Sequence, residues 1–236
     1  MKTISWTGNE SDYDMVDLTH VLRESIPVWP THPRYVFKQV SALEDGEVSS
    51  YHSVCMSEHS GTQFDAPSHF IRGARSIEAV PIHRFFGRVA KIDVPNPQPD
   101  SQLPAEHILK FEAEHGKFEL GDAAIFSFGW AKYWEHPTLA TEFLKGWPGL
   151  SDEAAKLLVA RGVRLAATDC LSIDRFTSKE FPAHNVLLGA DVLIGENFNN
   201  LDKLPPWSFL IALPLPMENG TGSPVRAIAF VARKEV

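Results

Sequence analysis

The sequence predicts a single α/β domain with a mixed sheet or barrel-like core and flanking helices. Three observations support this fold class: short strand-like runs outnumber helices, one helix is followed directly by a buried strand, and no long linker divides the chain. A chain of 236 residues can bury a substantial core. We therefore predict one domain spanning residues 1–236.

Eight segments have the composition of short strands. Each is rich in β-branched or aromatic residues and is bounded by Gly, Pro, Asp or Asn. They are residues 35–40, 49–56, 87–92, 123–128, 165–168, 192–196, 208–213 and 225–232. Residues 93–104 contain four prolines and are predicted to form a loop.

Two helices have clear start or stop signals. Residues 104–115 carry Ile108, Leu109 and Phe111 among charged residues. Residues 151–161 begin with Ser151 as N-cap and end before Gly162. The following residues, 163–168, have the pattern of a buried strand.

Composition excludes several classes of function. A net charge of -8 and a pI near 5.7 argue against binding to nucleic acid or to an anionic membrane. No run of ~18 apolar residues predicts a transmembrane helix, and the N-terminus lacks a signal-peptide pattern. Cys55 and Cys170 are expected to be buried free thiols, which fits a reducing cytoplasm.

One segment, residues 59–69 (HSGTQFDAPSH), concentrates side chains that can bind metals or carry protons. Its polar members His59, Gln63, Asp65 and His69 all have odd numbers, so an extended chain would place them on one face. Imidazole, amide oxygen and carboxylate together suit a divalent ion such as Zn²⁺ or Mn²⁺, and the Gln63 oxygen favours Mn²⁺. The alternative is a hydrogen-bonded turn without a metal.

Two downstream residues are further candidates. His184 lies where a loop enters a short predicted helix, and Glu196 ends an apolar strand. Such residues can line a site at a strand's edge. Considered singly, each is also compatible with a solvated or capping role.

The segment HSGTQFDAPSH resembles the HxGTxxDxPxH motif of the cyclase family of metal-dependent hydrolases, which includes kynurenine formamidases and isatin hydrolases. Further resemblance covers nearly the whole chain, in residues 17–20, 27–30, 121–122, 168–174 and 222–229. The resemblance implies a swivelling β/β/α fold. It also implies a homo-oligomer, dimeric or larger.

The resemblance implies roles for individual residues. His59 and Asp65 match ligands of a first metal, and His69 matches the catalytic acid or base. His184 and Glu196 match a possible second metal or substrate site that Asp65 would bridge. Trp29 matches a substrate-contacting tryptophan, although it could instead pack on the core. Gln63 stands where formamidases have histidine, so the chain is nearer the isatin hydrolases, which use manganese.

The expected reaction is hydrolysis of a small aromatic amide. A divalent ion would make water more acidic and polarise the scissile carbonyl, and His69 would accept and return the proton. We expect a cyclic amide such as isatin to be opened. N-formylkynurenine hydrolysis is the alternative enzymatic function, and a non-catalytic binder of small molecules is the alternative outside catalysis.

Overall fold

Seven strands form a closed ring in the structure, a computed structural model in which residues 12–134 and 140–233 are described. The ring order is β12-β11-β5-β7-β9-β10-β4, and β4 pairs back to β12, while β1 lies outside on β12. The strands are β1 Tyr13–Asp17, β2 Val36–Ser41, β3 Tyr51–Cys55, β4 Gln63–Asp65, β5 Phe86–Asp93, β6 Gln102–Leu103, β7 Ala123–Ser127, β8 Gly149–Leu150, β9 Leu165–Thr168, β10 Leu193–Glu196, β11 Trp207–Pro214 and β12 Gly222–Ala232.

The ring combines both kinds of strand pairing. Strands β5, β7, β9 and β10 are parallel neighbours, whereas the pairs involving β4, β11 and β12 are antiparallel outside that block. The predicted α/β class with a mixed, barrel-like sheet and flanking helices is confirmed. The extent of the domain, residues 1–236, stays a prediction.

Side chains from the ring enter two separate apolar cores. Along β7, Ala123 and Ile125 belong to one core and Ala124 and Phe126 to the other, as the alternation of a strand requires. The first core receives residues from every strand of the ring and therefore fills its interior. The second core lies outside the ring, beneath the helices. Burial on both faces explains why the inner parallel strands β7 and β9 are apolar up to their last residues.

The helices are α1 Glu106–His115, α2 Ala140–Phe143, α3 Asp152–Ala160 and α4 Pro182–Gly189. Ser151 caps α3 as expected, because its side chain accepts a hydrogen bond from the Ala154 N–H. Gly162 follows with a φ of 70°, a left-handed conformation that glycine adopts at little cost. No helix among the described residues is long and apolar enough to cross a membrane.

All eight predicted strands are present, with bounds shifted by up to three residues. The extended conformation expected for residues 59–69 is wrong over most of its length, since only Gln63–Asp65 form a strand. Gly61 bends the chain before it with a φ of 68°, and Pro67–His69 form a 3-10 helix after it. The expectation for the thiols is half wrong: Cys170 is buried, but Cys55 is exposed on the separate β2–β3 hairpin.

Candidate metal centre

Strand pairing brings the two candidate regions together. Strand β4 lies antiparallel to β10, with Asp65 opposite Ile194 and Gln63 opposite Glu196. Residues 133 positions apart in sequence therefore hydrogen bond, with Gln63 Nε2 donating to Glu196 Oε2 at 3.0 Å. The ends of these two strands form the floor of the site.

Asp65 is the centre of the cluster. Its Oδ1 lies 2.8 Å from His59 Nδ1, and its Oδ2 lies 3.5 Å from His184 Nε2. Asp65 belongs to both groups of potential metal-binding residues found in the described part of the chain, one with His59 and His69 and the other with His184 and Glu196. Within each group the potential ligand atoms lie within 4.8 Å of one another. The geometry thus brings four other residues named from the sequence, His59, His69, His184 and Glu196, around the Asp65 carboxylate.

Gln63 is part of the same cluster. Its Nε2 lies 3.4 Å from both Asp65 Oδ1 and His59 Nδ1, in addition to its bond with Glu196. Its Oε1 is buried and has no hydrogen-bond partner, and the same is true of Asp65 Oδ2. A buried oxygen that lacks a donor is costly unless a cation or another group satisfies it. The donor set of imidazoles, carboxylates and an amide therefore fits a divalent cation.

The cluster forms one wall of a cavity of about 420 Å³. This volume lies within the range of roughly 300–1,000 Å³ that is usual for small-molecule sites. The cavity lining combines polar and aromatic side chains: Trp29, His32, His59, Gln63, His69, Phe70, Leu171, Ser172, Phe181, His184, Glu196 and Asn197. Trp29 lies in the wall and also packs against the buried Trp147, with ring centroids 6.0 Å apart, and its contact with a substrate stays a prediction.

His69 approaches the cluster from the 3-10 helix after β4. Its ring stacks on that of His59 with centroids 4.0 Å apart. Burial and the neighbouring histidines outweigh the attraction of Asp65 and lower the pKa of His69 to about 4. Its imidazole is therefore neutral near pH 7 and can accept a proton.

The carboxyl groups of Asp65 and Glu196 have pKa values shifted in opposite directions. Burial and the charge of Asp65 raise the pKa of Glu196 to about 7. Burial also opposes ionisation of Asp65, but His69, His184 and His59 outweigh it and lower the Asp65 pKa. Asp65 is thus the carboxylate that carries the negative charge near neutral pH.

Burial lowers the pKa values of His59 and His184, but the nearby carboxylates raise them by more. Hydrogen bonding to Asp65 raises the pKa of His59. The hydrogen bond to Asp174, together with the nearby carboxyl groups of Asp65 and Glu196, raises the pKa of His184 well above its usual value. The cluster therefore attracts positive charge, as expected of residues that can surround a cation.

Several residues of the site escaped sequence analysis. Asn197 follows Glu196 with a φ of 59°, and its Oδ1 is buried without a partner, while its Nδ2 donates to the Gly61 carbonyl. Phe181 lines the cavity with a φ of 48°, which a bulky residue rarely adopts. An aromatic residue directly before Pro182 at the start of α4 is a weak signal, and the isolated Asn197 gave none that could be distinguished from a turn.

Comparison with known proteins identifies the family. The "Cyclase" family model matches residues 16–175 of the chain. The chain belongs to the cyclase family. An isatin hydrolase of Roseibium aggregatum is 31% identical over 94% of this chain and 93% of its own length. A kynurenine formamidase of Geobacillus thermodenitrificans is 32% identical over 90% of this chain and 95% of its own.

Solved structures agree with this assignment. Isatin hydrolase A from Labrenzia aggregata, bound to benzyl benzoate, has a TM-score of 0.86 and 32% identity, with 94% of each chain covered. An isatin hydrolase bound to the product analogue thioisatinate has a TM-score of 0.89 and 29% identity, again over 94% of each chain. Together with the cluster around Asp65, these similarities make the chain a metal-dependent hydrolase of the cyclase family.

Proposed function

We propose that this protein opens a cyclic aromatic amide such as isatin, using a divalent ion held beside Asp65. The single observation that carries the proposal is the position of Asp65, which is shared by both potential ligand groups and is buried behind the members of those groups that line an aromatic cavity. Similarity to isatin hydrolases supports the choice of substrate.

His59, Gln63 and Asp65 are the proposed ligands of the ion, with His184 and Glu196 available for a second ion or for substrate. A divalent ion supplies Lewis-acid polarisation of a carbonyl and allows water to act as a nucleophile near neutral pH. We favour Mn²⁺ over Zn²⁺ because the unpartnered Gln63 Oε1 is a hard, neutral oxygen donor.

His69 is the proposed general acid and base. As a neutral imidazole it accepts a proton from the attacking water, and it returns that proton to the ring nitrogen as the C–N bond breaks. The water oxygen becomes part of the new carboxyl group. One of its protons reaches the ring nitrogen through His69, and the other is released to solvent when the carboxyl group ionises. Stacking on His59 keeps the His69 ring next to the ligand cluster.

Aromatic side chains are proposed to bind the planar part of the substrate. Trp29 and Phe181 lie with ring centroids 6.4 Å apart, and Phe70 lies 5.5 Å from Phe181. Such rings favour stacked or edge-on contacts with an aromatic ligand. Phe70 lies against His69 and His184, with ring centroids 5.0 and 4.4 Å apart, so a ligand that contacts these aromatic rings would lie next to the polar cluster.

Hydrolysis of N-formylkynurenine is the second candidate. The similarity to a kynurenine formamidase over 90% of the chain favours it. Gln63 favours the first candidate, since the formamidase motif has histidine there. The cytoplasmic location and the homo-oligomeric state both stay predictions.

The test is a direct comparison of substrates with metal-stripped and Mn²⁺-loaded protein. We expect isatin ring opening to require the ion and to have a higher kcat/KM than N-formylkynurenine hydrolysis. A higher kcat/KM for N-formylkynurenine would establish the second candidate instead. Binding of either compound without turnover would show a non-catalytic binding protein.

A further inference from the structure

His184 is fixed in orientation by a carboxylate outside the ligand cluster. Its Nδ1 lies 2.6 Å from Asp174 Oδ2, while its Nε2 lies 3.5 Å from both Asp65 Oδ2 and Glu196 Oε1. Asp174 is itself held firmly, because it accepts the backbone N–H groups of Ala183 and His184 at 3.0 Å each. A carboxylate can only accept, so the neutral imidazole carries its proton on Nδ1 and leaves the Nε2 lone pair facing Asp65.

His59 faces Asp65 with the other ring nitrogen, Nδ1, and its Nε2 points to a partner outside the cluster. Its Nδ1 lies 2.8 Å from Asp65 Oδ1, and its Nε2 lies 2.9 Å from Thr221 Oγ1. The Thr221 hydroxyl donates to Glu58 Oε1 at 2.5 Å, and the Thr221 backbone N–H donates to Glu58 Oε2 at 3.0 Å. A hydroxyl has one proton, so toward His59 it can only accept. Asp65 Oδ1 can likewise only accept, so both His59 nitrogens face acceptors, of which only Thr221 lies outside the cluster. With a cation beside Asp65 in place of the Nδ1 proton, the neutral His59 ring would keep its remaining proton on Nε2 and present the Nδ1 lone pair to the cation.

We propose that Asp174 and the Glu58–Thr221 pair are positioning residues that select opposite tautomers of His184 and His59. A divalent cation beside Asp65 would then be met by Nε2 of His184 and by Nδ1 of His59. The inference rests on the proposed metal site and deepens it by assigning the ring nitrogens and the groups that orient them.

Both arrangements reach the site from segments outside residues 59–69. Asp174 lies between β9 and α4, and Thr221 precedes β12. Partners of this kind fix the tautomer and ring orientation of a ligating histidine, and their loss usually weakens metal binding about 10–100-fold. Loss of either partner would let an N–H take the place of the lone pair that the ring presents to the cation.

Cadmium-loaded protein with isotopically labelled histidine provides the test, because scalar coupling between cadmium and nitrogen identifies the bonded ring atom. In the wild type, we expect coupling to Nδ1 of His59 and Nε2 of His184. Affinity for Cd²⁺ is measured in parallel by competition with a chelator. Neither measurement depends on activity.

Thr221→Val removes the hydroxyl while keeping the shape of the side chain. We expect Cd²⁺ affinity to fall about tenfold or more, with the His59 Nδ1 coupling weakened or lost. Thr221→Ser keeps the hydroxyl and should restore both measurements. This pair separates the hydrogen bond from simple packing.

Asp174→Asn replaces one acceptor by an amide donor facing His184 Nδ1. We expect loss of the His184 Nε2 coupling and about 10–100-fold weaker Cd²⁺ binding. Ser151→Ala is the matched control, since it removes the N-cap of α3 without touching either histidine. It should lower the melting temperature while leaving both couplings unchanged.

Two results would overturn different claims. Unchanged couplings and affinity in Thr221→Val and Asp174→Asn would reduce these residues to structural roles, while the metal site itself would stand. Wild-type protein that shows no coupling to either histidine would remove the proposed metal site. If Asp174→Asn does not fold, the Thr221→Val and Thr221→Ser pair decides whether positioning occurs.

Discussion

The two ends of the parallel strands differ in how their charged side chains are paired. At the amino ends, Arg88 donates to both oxygens of Asp122 at 2.9 and 2.6 Å, and Arg84 donates to Asp191 at 2.9 Å. Arg164, buried between them, donates to the carbonyls of Arg84, Arg88 and Gly121. Each carboxylate of this end has an arginine from the same chain as its partner.

At the carboxyl end of β10 and in the adjoining strand β4, several buried polar groups lack a hydrogen-bond partner. Among the residues that the structure describes, three buried oxygens there have no hydrogen-bond partner: Gln63 Oε1, Asp65 Oδ2 and Asn197 Oδ1. The unpartnered atoms at the amino ends are instead donors, Arg84 Nε and Arg164 Nη2. Buried acceptors without donors favour a cation. Both ends of the strands carry charged groups, so charge by itself does not distinguish the site. The two ends differ in that the unpartnered atoms are acceptors at the site and donors at the other end.

The largest expected effect follows from removing the central carboxylate. Asp65→Asn should lower kcat/KM by about 10³-fold or more, since an ion contributes several kcal/mol of transition-state stabilisation. Steady-state kinetics and metal content check it together. Metal content and turnover equal to wild type would remove Asp65 from the centre of the site.

His69→Ala should lower kcat by about 10²-fold or more while the metal content stays at the wild-type level. The reason is that His69 is proposed to move a proton, and His59, Gln63 and Asp65 are proposed to hold the ion. Elemental analysis beside the kinetic assay separates these roles. Parallel loss of metal and activity would make His69 a ligand.

Asp122→Asn weakens the ion pair with Arg88 at the amino ends of the parallel strands, away from the proposed site. It should destabilise the protein by about 2 kcal/mol, less than the loss of a fully buried pair, because the Arg88 side chain is 37% exposed. Urea unfolding measures this loss. The kcat/KM measured at a temperature where the variant is folded should match wild type, and a large fall would show that the two ends are not independent.

The smallest expected effect concerns Gln63. Gln63→His should shift the preference from Mn²⁺ toward Zn²⁺, because imidazole is a softer and stronger donor than an amide oxygen. Competition titrations of the two ions in both proteins measure the ratio of affinities. An unchanged ratio would place Gln63 outside the coordination sphere, where its bond to Glu196 would be its main role.

Local patterns predicted much of the fold. Residues 165–168 form the predicted strand, and Ser151 caps its helix, because strand composition and capping depend on nearby residues. Strand β1 was missed because Tyr13–Asp17 includes two aspartates and exposes most of its side chains. Strand β4 is too short to be recognised apart from the motif around it.

Spacing in the sequence grouped site residues only where they lie close together, and His184 and Glu196, named as separate candidates, were linked to that group only by the family resemblance. His59, Gln63, Asp65 and His69 occur within one segment, although the extended conformation that first grouped them is not adopted. Thr221 reaches His59 from 162 residues away, and Asp174 meets the cluster through His184, which is 10 residues from it in sequence. No periodicity in the sequence encodes such an approach.

The most direct test is diffraction from crystals of the protein soaked in Mn²⁺, with data collected for the anomalous signal of manganese. We predict a peak bonded to Asp65 in wild-type crystals and its absence in Asp65→Asn crystals grown in the same form. A manganese peak elsewhere, with none at Asp65 in the wild type, would contradict the proposed metal centre.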